Sequence, residues 1–237
     1  MSREFSFYLG KSLTRFLKKP IRNQLDIIRL LLETVREIIT PNSDTKEIDI
    51  KSDNDFDEGF RIVYPKRSKQ KIQRIFLINK YPDYTEKEMY TIQSFVFPFS
   101  LKTESDEIKA IYSSSSLSLE FDHAILSQVL SIINIIDEGE LTWGDTWVEE
   151  LMKLLYGDIS ISTDKIFYLV NELLTFDFGY LRFDNDPKSE GDNHPRYHID
   201  THMDNRATFK IGFHNKIEIQ EFIDLLDNSS KVRYIEK

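Results

Sequence analysis

The stretch YLRFDNDPKSEGDNHPRYHIDTHMDNRATFKI, residues 180–211, decides how this chain is read. Apolar and polar residues alternate in three short runs, 180–184, 197–203 and 207–211, and a period of two marks a β-strand. Taken as antiparallel neighbours, the runs sort by parity onto two faces, because successive side chains point to opposite sides of a sheet. One face collects Leu181, Phe183, Tyr197, Ile199, Met203, Ala207, Phe209 and Ile211, a set able to pack on helices. The other collects Arg182, Asp184, His198, Asp200, His202, Thr208 and Lys210. Two readings of that second set stand side by side. It is the solvated face of a half-covered sheet, or it is a site, since such faces are ordinarily built from Lys, Glu and Thr. Histidine is the side chain whose proton equilibrium lies near neutral pH.

Outward from this stretch, the first twenty residues place Phe5, Tyr8, Leu9, Leu13, Phe16 and Leu17 at helical spacing, which predicts a basic amphipathic helix. Pro20 fits the first turn of a second helix with Leu25, Ile28, Leu31, Leu32, Val35, Ile38 and Ile39 on its apolar face, stopped at Pro41. The period then shifts toward two at 46–50 and 60–64, and again at 72–78, 90–97 and 108–121, as expected of an antiparallel meander interrupted by Pro82 and Pro98. The serines at 113–116 fit a strand edge or a loop. Helical spacing returns at 123–136, 145–155 and 163–174, and a short helix is predicted at 216–226 after the last strands.

This order, helices and strands in separate blocks without βαβ alternation, predicts an α+β fold. N-terminal helices and a middle helical segment pack against a mainly antiparallel sheet, and the chain ends in a β-hairpin and a short helix. One domain over 1–237 is expected, with a possible subdivision into a helical segment 1–41 and an α+β body 42–237.

Composition narrows the chemistry. The 237 residues contain no cysteine, which removes disulfides, thiolate metal sites and a cysteine nucleophile together. A net charge of -9 repels a phosphate backbone unless a local basic patch reverses the field, so nucleic-acid contact has to be local. The uncharged run 124–136 is too short to span a bilayer, and charges at Arg3, Glu4, Lys11 and Arg15 replace the apolar run of a signal peptide, so a cytoplasmic protein without a transmembrane segment is expected. GxGxxG, GxxxxGK and GxSxG are all absent, and the residues name no cofactor.

Two chemistries fit the polar face. In the first, His198, Asp200 and His202 hold a metal, with Asp184 or His194 completing the shell. At roughly 3.3 Å per residue, positions four apart on a strand lie about 13 Å from each other, so His198 and His202 cannot grip one ion. His198 with Asp200, or Asp200 with His202, can share an ion if a neighbouring strand supplies the rest. In the second, histidines act as general acid and base while Arg182, Arg206 or Lys210 stabilises charge on a phosphate. The candidate catalytic residues are therefore His194, His198, His202, Asp184 and Asp200, and the candidate substrate-binding residues are Arg182, Arg206 and Lys210. The bland alternative is that Arg206 and Lys210 merely pair with Asp204 and Asp200. The loop 185–195 reads as a surface connection that leads through His194 and Pro195 into the histidine strand.

The run RFDNDPKSEGDNHPRYHID, followed by MDNRATFKIG, resembles the C-terminal signature of a bacterial family, domain of unknown function 2290. The agreeing positions are Arg182, Phe183, Asp184, Asp186, Pro187, His194, Pro195, His198 and Arg206. The stretch is more loosely similar to TumE-like toxins, echoed by Asp184, Asn185, Gly191, His194 and His198, though HPRYH replaces their tight HxH and the N-terminal half has no counterpart there. These resemblances imply a mobile-element, toxin-like or phage-defence setting and assign no reaction.

The leading expectation is thus a toxin-like or defence-associated bacterial protein, a nuclease acting on RNA or DNA phosphodiesters. Two alternatives are a noncatalytic partner-binding subunit of such a complex and a metal-dependent hydrolase. A protein partner or homo-oligomer is expected, with nucleic acid as a further candidate. Residues 1–24 carry six Lys or Arg against one acid. That segment can serve a membrane surface, nucleic acid or an acidic partner, although packing of its apolar stripe inside the fold is the simpler reading. Trp143 and Trp147 read as core or interface anchors, and His123 as structural.

Overall fold

The computed structural model describes residues 3–8, 10–17, 21–40, 59–64, 73–81, 88–105, 107–139, 163–201, 210–226 and 230. The expected strand at 46–50, the helix at 145–155, Trp143, Trp147, His202, Thr208 and Arg206 lie outside them. In chain order the elements begin β1 (Arg3–Tyr8), α1 (Lys11–Leu17), α2 (Gln24–Ile39), β2 (Gly59–Tyr64), β3 (Gln73–Lys80) and β4 (Tyr90–Phe97). They continue β5 (Phe99–Glu104), β6 (Glu107–Ser113), β7 (Ser118–Glu120), α3 (His123–Asp137) and α4 (Thr163–Thr175). The last are β8 (Leu181–Asn185), β9 (Tyr197–Asp200), β10 (Lys210–Phe213) and α5 (Ile219–Leu226). The fold is α+β with antiparallel sheets, ending in a hairpin and a short helix.

Two predicted elements differ in kind or position. Residues 3–8 are a strand, because Phe5 and Phe7 alternate with Ser6 and face Ile62 and Phe60 across an antiparallel pairing. Among the described residues, the helix of the first twenty covers Lys11–Leu17. The second helix opens at Gln24 rather than at Pro20. Asn23 caps it, accepting from Asp26 N at 2.8 Å while Asp26 Oδ2 accepts from Asn23 N at 3.3 Å, a reciprocal capping box. The region 108–121 is two strands, since Ser114 Oγ accepts from the backbone of Ser116 and Leu117 and turns the chain.

The chain forms two compact units, neither continuous in sequence. The first contains Met1–Leu9, Thr45–Phe97 and Phe178–Lys237, the second Gly10–Asp44 and Pro98–Asp177. In the second unit α2 packs on α3, α4 and β6. Arg29 binds Asn134 and Asp137 of α3, and the Gln24 amide donates to Leu174 O at 2.8 Å and Phe176 O at 3.0 Å at the end of α4. Asp122 caps α3 by accepting from Ile125 N.

The first unit carries the seven-stranded sheet, ordered β1-β2-β3-β4-β8-β9-β10. One face packs on α5: Phe76, Ile92, Phe183 and Ile199 meet Ile217, Phe222 and Ile223. Phe183 stands at its centre, with no exposed surface and ring centroids 6.1 Å from Tyr90, 6.1 Å from Phe222 and 6.2 Å from Phe213. The opposite face is apolar over β1–β3, with Phe5, Phe7, Phe60, Ile62, Ile75 and Leu77 buried, continues apolar to Phe95 of β4, and turns polar from Thr91 and Gln93 across β8–β10. Truncating Phe183→Ala should therefore lower unfolding stability by about 3–5 kcal/mol in urea denaturation, and a loss below about 1 kcal/mol would contradict this packing.

Candidate functional site

Cross-strand register assembles the polar face. Asp184 of β8 stands opposite His198 of β9, and Arg182 stands opposite Asp200, which is opposite Lys210 of β10. These five side chains therefore share the side of the sheet turned away from α5. They are not a solvated surface: side-chain exposure is 0% for His198, 8% for Asp184, 16% for Asp200, 23% for Lys210 and 28% for Arg182. That reading of the alternation is set aside by burial.

Charge balance explains how the group tolerates burial. The Arg182 guanidinium bonds Asp184 through Nε at 2.8 and 2.9 Å and through Nη2 at 2.7 Å, and the same Nη2 reaches Asp200 Oδ2 at 2.6 Å. Lys210 Nζ donates to both Asp200 oxygens at 2.9 and 3.1 Å. Two carboxylates thus meet two cations, the condition under which buried charge is retained. The expected pairing of Lys210 with Asp200 is present, as one edge of a larger network. Burial raises the Asp184 pKa, but contact with His198 and the hydrogen bonds and charge of Arg182 outweigh it and hold the carboxyl below its ordinary value.

His198 sits where the two halves of the network join. Its Nδ1 lies 2.7 Å from Pro195 O, which can only accept, so Nδ1 carries a hydrogen and donates. The other nitrogen, Nε2, faces Lys210 Nζ at 2.8 Å and Asp184 Oδ2 at 3.2 Å. A neutral ring accepts from the ammonium, and a protonated ring donates to the carboxylate. Nε2 is placed between a proton donor and a proton acceptor.

The loop after β8 holds Pro195 in place. Asp186 Oδ1 accepts from the backbone of Lys188 and Ser189, Asp186 N donates to Arg196 O, and Gly191 and His194 exchange backbone hydrogen bonds at 3.0 Å. Asn185 fixes its root, donating to Glu88 O and accepting from Arg196 Nε. Pro195 then rests against Gly212, whose register partner is His198. A Cβ at 212 would meet Pro195 Cγ at 2.7 Å, so only glycine admits the ring. His194 stacks edgewise on His198 with centroids 4.6 Å apart. Desolvation and the nearby positive charge of Lys210 keep its pKa below the ordinary value.

Of the residues picked from sequence, Asp184, His194, His198, Asp200, Arg182 and Lys210 come together, while His202 and Arg206 are outside the described residues. His214 lies past β10 and His123 is exposed. Thr91 and Gln93 of β4 went unread; they stand in register with Asp184 and Arg182. Both are buried, and Thr91 Oγ1 and Gln93 Oε1 have no hydrogen-bond partner among the described residues. Two polar residues at alternate positions of a strand, Thr91 and Gln93, were the available signal. Among the described residues, the donors able to hold a metal are Asp184, His198 and Asp200, whose ligand atoms lie within 4.8 Å of one another. Compared with protein-family models, curated proteins and solved structures, the chain matches none.

Two outcomes follow. Asp184→Asn should cost about 3–5 kcal/mol near neutral pH, since it removes the buried carboxylate that pairs with the half-buried Arg182 guanidinium. Because the folded pKa of Asp184 is depressed, its contribution is complete above the unfolded value near about 3.9 and fades as pH falls through the folded value. The stability gap between wild type and Asp184→Asn should accordingly hold from about pH 7 to 5 and narrow below about pH 4 in chemical denaturation; a gap unchanged to about pH 2 would contradict the assignment. Gly212→Ala should cost about 1–3 kcal/mol by overpacking. Gly191→Ala, whose added Cβ meets nothing nearer than Ser189 O at 4.0 Å, should stay within about 0.5 kcal/mol.

Proposed function

We propose that the chain is a toxin-like or phage-defence protein of the bacterial cytoplasm that cleaves nucleic-acid phosphodiesters at the Arg182–Asp184–His198–Asp200–Lys210 cluster. The observation that carries the reading is the convergence of two cations, two carboxylates and an imidazole on one largely buried sheet face. Arg182 and Lys210 are its most solvent-accessible members; Arg182 suits a non-bridging oxygen of a phosphate and Lys210 the departing oxygen. A fully buried His198 does not reach substrate itself; it acts as a positioning residue that aims Lys210 Nζ and exchanges protons with it. Neutral His194 is the proton acceptor.

In this scheme water attacks phosphorus and gives its proton to His194. The P–O ester bond breaks, and Lys210 Nζ protonates the departing oxygen. Arg182 stays on the phosphate as charge builds on it. Absence of a membrane-crossing helix among the described residues is compatible with this setting. A protein partner or a second copy would gate the activity in the cell.

The full chain, purified without a tag, is incubated with end-labelled single-stranded RNA, single-stranded DNA and supercoiled plasmid. Wild type should cleave at least one of them, and Lys210→Ala and His194→Ala should each be slower by about 100- to 1000-fold with unchanged circular dichroism. No cleavage by wild type of any substrate, or equal cleavage by the folded variants, would remove the proposal and leave the cluster as a structural ion network.

A further inference from the structure

The Lys210 ammonium contacts two metal-type donors, His198 and Asp200, and a third, Asp184, lies against the same imidazole nitrogen. Its Nζ is 2.8 Å from His198 Nε2 and 2.9 Å from Asp200 Oδ1, and Asp184 Oδ2 lies 3.2 Å from the same imidazole nitrogen. His198 Nε2 and Asp200 Oδ2 are 3.8 Å apart. Separations of 3.2 and 3.8 Å are those of two donors each about 2.1 Å from a common ion. From these donors we propose that Asp184, His198 and Asp200 form a divalent transition-metal site for which the side chain of Lys210 is a built-in competitor.

Three features support this beyond the proximity of the donors. First, the His198 Nδ1–H donates to Pro195 O, the outer hydrogen bond that orients a ligating imidazole and leaves the Nε2 lone pair for the ion. Second, the donors already hold a cation, so the field at that point favours positive charge. Third, Thr91 Oγ1 and Gln93 Oε1, buried and without a partner among the described residues, stand in register beside Asp184 and Arg182 and offer further oxygen donors. Arg182 competes as well, because its Nη2 contacts Asp184 Oδ2 and Asp200 Oδ2. Its Nε bond to Asp184 Oδ1 can persist when Oδ2 turns to an ion.

An imidazole with two carboxylates favours manganese, iron, cobalt, nickel or zinc over magnesium or calcium. Entry of the ion exchanges one positive charge for two once Lys210 withdraws, so metal binding should strengthen when an anion such as inorganic phosphate is present. Cation binding is independent of whether the site cleaves phosphodiesters.

The test uses the full chain purified without a tag. Co2+ binding is followed by visible absorption and Mn2+ binding by the electron paramagnetic resonance signal of the free ion. Lys210→Met, which keeps the side-chain volume and removes the charge, should bind Co2+ at least tenfold more tightly than wild type. His198→Ala and Asp200→Asn, each made in the Lys210→Met background, should return the affinity to the wild-type level or below. If His198→Ala fails to fold, as judged by circular dichroism, Asp200→Asn carries the comparison. Equal Co2+ affinity in wild type and Lys210→Met would overturn the proposal. So would tight binding that survives Asp200→Asn, since the ion would then sit elsewhere.

Discussion

The Arg182 guanidinium, spanning Asp184 on its own strand and Asp200 on the next, is the contact around which the first unit is organised. A carboxylate as buried as Asp184 is stable only with a cation on it. Arg182 meets that requirement at i−2 on one strand, the spacing that returns a side chain to the same face. Everything else on the face is arranged to keep the sum of charges near zero: Asp200 takes the second arm of Arg182, Lys210 takes Asp200, and His198 spaces Lys210 from Asp184. The β8–β9–β10 register cannot slip by one residue without turning this set toward α5 and Phe183 toward the charges.

That register is in turn fixed by the loop 186–196. Asn185 and Asp186 satisfy the backbone where β8 ends, and the chain returns so that Pro195 lies on Gly212 and presents its carbonyl to His198. The loop thereby selects which nitrogen of His198 points into the network. A backbone contact sets the protonation geometry of a buried side chain, and through it the direction in which Lys210 aims.

Much of this was legible in the sequence. Strand parity placed Arg182, Asp184, His198, Asp200 and Lys210 on one face before any coordinates, because period two is a local property of the backbone. Burial of that face was not legible, since it depends on the remainder of the fold; Thr91 and Gln93 were missed for the same reason, as pairing between β4 and β8 spans the Pro98–Asp177 segment of the second unit in sequence. The N-terminal strand was misread because Leu9, Leu13, Phe16 and Leu17 lent a helical period to the segment containing Phe5 and Tyr8, while the alternation of Phe5 and Phe7 is only three residues long. The start of α2 at Gln24, capped by Asn23, was overlooked because Pro20 is a common opening residue, yet a reciprocal Asn–Asp cap outweighs it.

The account stands on His198 being held with Nδ1 protonated and Nε2 turned to Lys210 and Asp184. Nitrogen NMR of the full chain labelled with 15N-histidine reads this state directly. The account predicts for His198 a protonated Nδ1, and an Nε2 resonance that moves when Lys210 is replaced by methionine. A neutral ring protonated at Nε2, with Nδ1 bare and no response to Lys210→Met, would contradict it.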